Sequence, residues 1–404
     1  MPRFETLTWQ PDPNAYGPRR TRRAFKYKAL VPDPVAALDP SLSSSVAGLL
    51  AEAERETAAL NLNPPKIANL EALARRLLRA ESVASSWIEG VRLSQRRLAR
   101  AEAEGAEARD ATARAVLGNV AAMERATTLA DQRKPMRLKD LLDVHRALMT
   151  QTPDPREAGE LRERQNWIGG NPYSPLDASY VPPPPEHVPG LVDDLLRFMA
   201  RDDLPASIQA AVAHAQFEAI HPFADGNGRV GRTLIHFALR RRGLALRFVP
   251  PVSLVLAARS NTYIRGLNAF AQGQLADWLE VFARALRAAA QRSAALAAAI
   301  AALQESWRER AGRPRRDSSA EALIGALPAC PVLTTDSAAK LLGRSIQAAN
   351  EALAALEKAG VVKVAGAVRR NRAFESPELL QLVAEFEKDL AVPDEGLTGP
   401  SKRP

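Results

Sequence analysis

Twelve residues, His221 to Arg232 (H-P-F-A-D-G-N-G-R-V-G-R), constrain this chain more than any other stretch. They lie between two segments with helical periodicity, Ala206 to Ile220 and Val230 to Arg241, so two helices must meet at a glycine-flanked turn. The turn Asp225-Gly226-Asn227-Gly228 tolerates positive φ at its glycines and at its Asn. Successive backbone N–H groups in such a turn can aim at one point and form an anion nest. The following helix brings its unbonded N–H groups and the positive end of its dipole to the same place, which favours a phosphate. Arg229 and Arg232, three residues apart, project from one face of its first turn. Asp225 can hold Mg²⁺, an ion that takes one or two carboxylates together with phosphate oxygens. His221 stands where a general base could meet a hydroxyl. Singly, each piece has a plain structural reading: a core histidine, a simple turn, a solvated pair of arginines. Together they describe a site for a nucleotide polyphosphate, its metal and a base.

The same residues match, at every defining position, the motif H-x-F-x-[D/E]-G-N-G-R-x-x-R, and the chain thereby resembles the Fic (filamentation induced by cAMP) family. The resemblance implies a mostly α-helical enzyme that moves AMP from ATP, with Mg²⁺, onto a Ser, Thr or Tyr hydroxyl of a target protein and of itself. It implies that His221 is the base, that Phe223 anchors the loop and that Asp225 carries the metal. Gly226, Asn227 and Gly228 would cradle the α- and β-phosphates, with Val230 and Gly231 in the same ATP-binding run. Arg229 would support the triphosphate and Arg232 hold its γ end. Upstream, Ser85, Glu89 and Gly90 fit [S/T]-x-x-x-E-[G/N], which in this family marks an inhibitory helix. Its glutamate would compete with a phosphate oxygen for the Arg232 guanidinium. The alternative is an ordinary helix end, with Gly90 at C′ and Glu89 merely exposed.

Two further segments carry the resemblance. Gln165–Ile168 and Ala178–Val181 flank a Gly/Pro/Asn turn and predict a β-hairpin. In the family this hairpin is a flap that takes the target as an added strand, here through Ser179, Tyr180, Val181 and Pro182. The alternative is a connecting loop. Asn261 to Phe270 resembles the helix whose aromatics flank adenine. Families often show two adjacent tyrosines there, whereas here Tyr263 is followed by Ile264; the resemblance places Tyr263 beside the nucleotide, with a core residue as the alternative.

With 404 residues the chain can form two or three domains, and 46% hydrophobic and 25% charged residues suit a soluble globular protein. The formal charge of +9, from 55 Lys+Arg against 46 Asp+Glu, favours polyanionic partners or reflects only an arginine-rich composition. A single cysteine, Cys330, excludes an internal disulfide framework and suits a cytoplasmic setting. Neither a signal peptide nor a membrane span is expected.

In chain order, residues 1 to about 40 predict an extended arm that packs through Phe4, Trp9, Tyr16, Phe25 and Tyr27. Helices are expected at Ser43–Leu60, Leu70–Trp87, Gln95–Glu104, Ala106–Ala130, Leu138–Thr150 and Val188–Arg201. Leu275 to Trp307 predicts one long helix or a pair. His145 and His236 read as packing residues. His214, on the face of His221, lacks a third ligand for a zinc site. Beyond a basic linker, Ala320 to Phe374 predicts helices and two short strands in the order of a winged helix-turn-helix. Lys358, Lys363, Arg369, Arg370 and Arg372 could contact DNA phosphates there, or the module could serve dimerisation or target docking. The predicted organisation is an N-terminal arm and helical region at 1–105 and a Fic bundle with its hairpin flap at 106–308. A linker at 309–319, a winged helix at 320–390 and a disordered tail from 391 to 404 follow. Other readings of the site are transfer of a different phosphate-containing group, removal of AMP, or a DNA-binding regulator that senses nucleotide. A homodimer is left open.

Overall fold

The computed structural model describes residues 2–11, 18–62, 69–105, 110–152, 157–368 and 371–391. Tyr16, Arg369, Arg370, the expected helix start at Ala106 and the tail beyond 391 lie outside them. Among the described residues fifteen α-helices dominate, and the strands are few and short.

The arm is a two-stranded ribbon. β1 (Arg3–Trp9) pairs antiparallel with β2 (Phe25–Val31), from Arg3 opposite Val31 to Trp9 opposite Phe25. Trp9 packs edge-on against Trp167 at 5.6 Å, while Phe4 stays 61% exposed. The helical body begins with α1 (Ser44–Leu62), α2 (Leu70–Ile88), α3 (Gln95–Glu104), α4 (Ala111–Asp131) and α5 (Leu138–Met149). It continues through α6 (Val188–Met199), α7 (Ala206–Ile220), α8 (Asn227–Arg241), α9 (Val252–Ala258), α10 (Ser260–Ala271) and α11 (Leu275–Arg310).

α7 is the axis of the body. Every one of its residues except Glu218 is buried, including the polar Ser207, Gln209, His214 and Gln216, so it is enclosed on all sides. α6, α8, α10, α11 and α1 pack around it. The buried Trp278 of α11 donates its indole N–H to Ala211 O at 2.8 Å, fixing the long helix to the axis. α11 is unbroken over 36 residues, which settles the expected choice between one helix and two.

α2 is held by polar contacts set in the core. The fully buried Glu81 carboxylate accepts from Ser253 N (2.8 Å) and Ser253 Oγ (2.5 Å) and lies 2.8 Å from His236 Nε2 of α8. Asn119 of α4 donates to Ser82 O at 2.8 Å and to Ser86 Oγ at 3.2 Å. A buried carboxylate survives only where it is so satisfied. These bonds fix the rotation of α2, and with it the direction in which the end of α2 points.

After α11 come α12 (Ser319–Ala326), β3 (Val332–Thr334), α13 (Thr335–Leu342), α14 (Ile346–Lys358), β4 (Lys363–Val368), β5 (Asn371–Glu375) and α15 (Pro377–Ala391). The strands form a sheet in the order β3-β5-β4, with an irregularity between Val364 and Ala367. This module is docked on the N-terminal helices. Glu375, 2% exposed, takes two bonds from Arg96 of α3, at 2.6 and 2.8 Å, with Arg100 and Lys363 each 3.7 Å away. Gln95 links the buried Arg76 of α2 to Glu387 of α15. Removing the Glu375 carboxylate leaves three cations close together without their shared anion. Glu375→Ala should cost about 2 kcal/mol, less than breaking a fully buried pair because Arg96 stays half exposed. A urea-unfolding midpoint compared with wild type measures it.

Candidate active site

α7 ends and α8 begins within a few residues, and both ends are enclosed, so the intervening loop has little freedom. His221 caps α7 in the left-handed region, φ 51° and ψ 59°. A residue with a Cβ pays roughly 1–2 kcal/mol there, so the surroundings must hold it. Its N–H bonds to Phe217 O at 2.9 Å, and its carbonyl accepts from Arg162 Nε at 2.8 Å. Arg162 also donates to Arg164 O (3.1 Å) and Pro183 O (2.6 Å), and its backbone N–H reaches Pro222 O at 2.9 Å. One buried guanidinium thus ties the His221 turn to the base of the flap.

The loop is then closed on itself. Asn227 Oδ1 accepts from Phe223 N at 2.8 Å, and Asn227 Nδ2 donates to Phe223 O at 2.7 Å. Asn166 donates to the same carbonyl at 3.0 Å. The fully buried Phe223 ring stacks on His145, centroids 3.7 Å apart and 5° from parallel. His145 Nδ1 accepts from Gly159 N at 2.9 Å, so the proton sits on Nε2 and is donated to Asp225 O at 3.1 Å. His145 is therefore structural, as expected, and it shapes this loop.

Gly226 turns at φ 79° and starts α8. A Cβ there would press on Leu148 at 2.9 Å, so its lack of side chain serves both backbone and packing. Val230 N, bonded to Gly226 O at 3.0 Å, is the first donor satisfied inside the helix. The N–H groups of Asn227, Gly228 and Arg229 are therefore the orphan donors of a helix start. Asp225 stands beside them with its side chain 70% exposed, Oδ1 accepting from Gly226 N at 2.6 Å and Oδ2 3.5 Å from Arg229. Arg229 is buried, and its Nε has no partner.

Arg232 is 1% exposed. Its Nε donates to Ser85 Oγ at 2.9 Å, and its Nη2 donates to Ser85 O and to Glu89 Oε1, each at 2.8 Å. Ser85 thus fixes the guanidinium from behind, and Glu89 meets it from the front. Glu89 follows the end of α2. Gly90, at φ 78°, closes that end, with Val91 N–H reaching Ser86 O at 3.0 Å. The Glu89 carboxylate lies against Gly228, where any side chain would collide with it. Burial works to raise its pKa, but the charge and hydrogen bond of Arg232, with Arg229 and His221, hold it below the usual range.

The His221 imidazole is pushed down to about 4 by burial and by the Arg162 charge, against the opposing pull of Glu89. It is neutral at pH 7, the state a base needs. Next to it lies Glu218, one turn back on α7, with Oε2 4.0 Å from His221 Nδ1 and 3.8 Å between Oε1 and His214 Nδ1. Burial raises this carboxyl to about 8, with Arg232 opposing and Glu89 reinforcing. Gly231 leaves room for it, since a Cβ there would sit 2.5 Å from Glu218 Oε1.

The flap residues are less regular than predicted. Ile168 and Tyr180 form an isolated bridge, and Asn171 and Ser174 form another, without full strands. The reason is chemical. Pro182 to Pro185 offer no N–H, and the Gln165 and Arg162 side chains take the carbonyls of Pro182 and Pro183. Ser179 N bonds to Ile168 O at 2.8 Å, Tyr180 Oη donates to Ala219 O at 2.7 Å, and Val181 O accepts from Leu30 N of β2 at 2.9 Å. Tyr263 is 4% exposed, hydrogen-bonded to His214 Nε2 at 2.8 Å and packed on Trp278. The structure places it in the core behind Arg232. Val230 is likewise fully buried. Among the described residues no group of three or more His, Cys, Asp or Glu is placed to hold a metal.

Sequence reasoning did not single out Arg162 or Glu218. Arg162 sits in a charged run with nothing to distinguish it. Glu218 had one available signal, a lone carboxylate on an otherwise apolar helix one turn before the histidine.

A helix start with free N–H groups, a neutral imidazole, an exposed carboxylate and two buried arginines thus lie together on an α-helical scaffold, an arrangement with the chemistry to receive a phosphate. Residues 135–239 match the Fic/DOC family and residues 47–128 match the N-terminal segment of that family. It is 34% identical over 151 residues to the protein adenylyltransferase Fic of Drosophila willistoni, covering 37% of this chain and 27% of that protein. It is 29% identical over 168 residues to the protein adenylyltransferase fic-1 of Caenorhabditis elegans, covering 41% and 30%. The chain thus spans under a third of the length of these relatives. A solved Fic family protein from Desulfovibrio desulfuricans G20 shares the fold at 22% identity and TM-score 0.52, over 83% of this chain and 97% of that one.

Two outcomes test this geometry. Arg162→Lys keeps the charge but loses the fork, and should lower stability by about 2 kcal/mol in urea unfolding. The second is a pH dependence. His145 and His221 are held near 4 and His214 near 3, mainly by burial, while Glu218 is held near 8. From pH 8 down to about 6.5 the folded chain takes up the Glu218 proton before the unfolded chain does, so stability rises. Below about 6.5 the unfolded chain protonates three histidines that the folded chain keeps neutral, and stability falls. Thermal midpoints across this range, without added metal, should peak near pH 6.5.

Proposed function

We propose that this chain is a protein adenylyltransferase restrained by its own Glu89. The observation that carries the reading is the Glu89 carboxylate lying on Arg232, over Gly228, at the start of α8. That is where the γ end of a nucleotide triphosphate bound to the free N–H groups would lie. An anion already seated there argues that the place is made for one. The adenylyltransferase names of the relatives and the complete motif support ATP as donor.

In this reading the neutral His221 takes the proton of an acceptor hydroxyl as its oxygen attacks the α-phosphorus. The new oxygen–phosphorus bond forms as the bond to pyrophosphate breaks, and pyrophosphate leaves. The N–H groups of Asn227, Gly228 and Arg229 face the charge growing on the phosphate oxygens. Asp225, exposed at the edge of that nest, suits Mg²⁺, which needs few protein ligands and brings its own waters. The ion would neutralise phosphate charge there. The flap, above the loop, would align an extended acceptor segment through main-chain bonds. Tyr263 would act from behind, by holding His214 and the back of the Arg232 pocket. The outward face of α14 carries Gln347, Glu351, Glu357 and Lys358, and its two carboxylates do not favour a DNA-reading role.

Glu89→Gly removes the competing anion. With labelled ATP and Mg²⁺, automodification should rise at least about tenfold, the effect of losing one charge-assisted bond of roughly 1.4 kcal/mol. Glu89→Gly/His221→Ala should incorporate no label while still binding ATP. Label in the double variant, or none in the single variant despite bound ATP, overturns the assignment.

A further inference from the structure

The N-terminal ribbon is a part of the chain that the proposed site does not use, and it carries a surplus of positive charge. Residues 1–31 hold seven lysines and arginines against two carboxylates, a surplus of five out of the whole chain's nine. The ribbon is fixed to the flap and its base at four points. Leu30 N bonds to Val181 O at 2.9 Å, Trp9 packs on Trp167, Arg20 pairs with Asp177 at 3.2 Å, and Glu5 lies 3.0 Å from His187.

The backbone register tells which groups are free. Leu30 directs its N–H away from β1, toward Val181, so Leu30 and Phe4 form a non-hydrogen-bonded pair. Pairs of this kind recur at every second position, so Thr6 opposite Lys28 and Thr8 opposite Lys26 are of the same type. Phe4, Thr6 and Thr8 therefore turn their N–H and C=O groups to the outer side of β1. Among the described residues no strand pairs with that side. Natural edges are usually blocked by lysine, proline or a bulge, and the outer strand here reads F-E-T-L-T-W from Phe4 to Trp9, with one charge.

The side chains of Thr6, Thr8, Lys26 and Lys28 share one face of the ribbon, and all four are exposed. Neither lysine has a carboxylate partner among the described residues. The small threonines leave the lysine stems free to lean over β1 toward its open edge.

We propose that the open edge of β1, with Lys26 and Lys28 above it, docks an extended acidic segment of the acceptor protein. This rests on the proposed function for the identity of the partner. Main-chain bonds to β1 would hold the segment, and the two lysines would select carboxylates on its outward face. Because β2 joins Val181, a segment held here belongs to a platform continuous with the flap. The ribbon would thereby choose among acceptors at a distance from the reacting hydroxyl.

The probe is a fluorescent decapeptide of alternating glutamate and valine, titrated with the full chain at low salt and read by anisotropy. Wild type should bind it, and more weakly as salt rises. Lys26→Glu/Lys28→Glu should weaken Kd at least about tenfold. Thr6→Pro removes an outward N–H without touching the β1–β2 ladder and should weaken binding to a similar degree, with unchanged helical circular dichroism. Binding equal to wild type in both variants, or no binding by wild type, overturns the proposal. So does equal binding of a lysine–valine peptide, or a short DNA duplex that binds more tightly through the same lysines. Automodification of Glu89→Gly is a separate reading of adenylyl transfer. Its absence would count against the proposed function, while peptide binding would still decide whether the edge docks acidic strands.

Discussion

Two helices buried on nearly all sides, α7 and α8, must exchange direction within the residues from His221 to Gly226. That constraint organises the rest. A short loop between enclosed helices cannot relax outward, so its polar groups must be satisfied from within. Asn227 closes it, Arg162 holds its first carbonyl, and His145 stacks beneath Phe223. What remains unsatisfied is the set of N–H groups at the start of α8, and their availability to a ligand follows from the packing around them. The left-handed turn at His221 belongs to the same arrangement: an unfavourable backbone conformation fixed by neighbours that gain nothing from releasing it.

The second layer of the design is α2. Its rotation is fixed far from the site by Glu81 between His236 and Ser253, and by Asn119 on Ser82. Those bonds decide that Ser85 and Glu89, one turn apart, both face Arg232. The C-terminal module touches the same helix through Gln95, Arg76 and Glu387. The position of Glu89 therefore depends on contacts drawn from the body of the protein and from its last described helix.

Much of this was legible in the sequence. α7 runs over the residues its apolar pattern predicts, and Gln95–Glu104 appears with the expected ends because Ser94 supplies an explicit cap. α8 starts earlier than periodicity suggested, since Asn227 bonds back to Phe223 and lets the helix begin within the motif. The extended arm proved to be a paired ribbon, a long-range choice that alternation alone does not dictate. The flap lost its ladder to prolines and to side chains that occupy its carbonyls. Arg162 was invisible because its importance comes from where the fold carries it, whereas Glu218 left one trace, a lone carboxylate one turn before the histidine, whose meaning only its burial reveals.

Arg232 and Glu89 form one ion pair with unequal surroundings. The guanidinium is sealed in and braced by Ser85, whereas the carboxylate side chain is 36% exposed. The cation is a fixed socket, and moving it would require repacking the core. If Glu89 restrains the site as proposed, the anion would be a plug with water at its back that could swing out by rotating its own bonds. Such a latch would open and close without disturbing the scaffold, so the chain could pass between two states many times while the rest of the molecule stays folded.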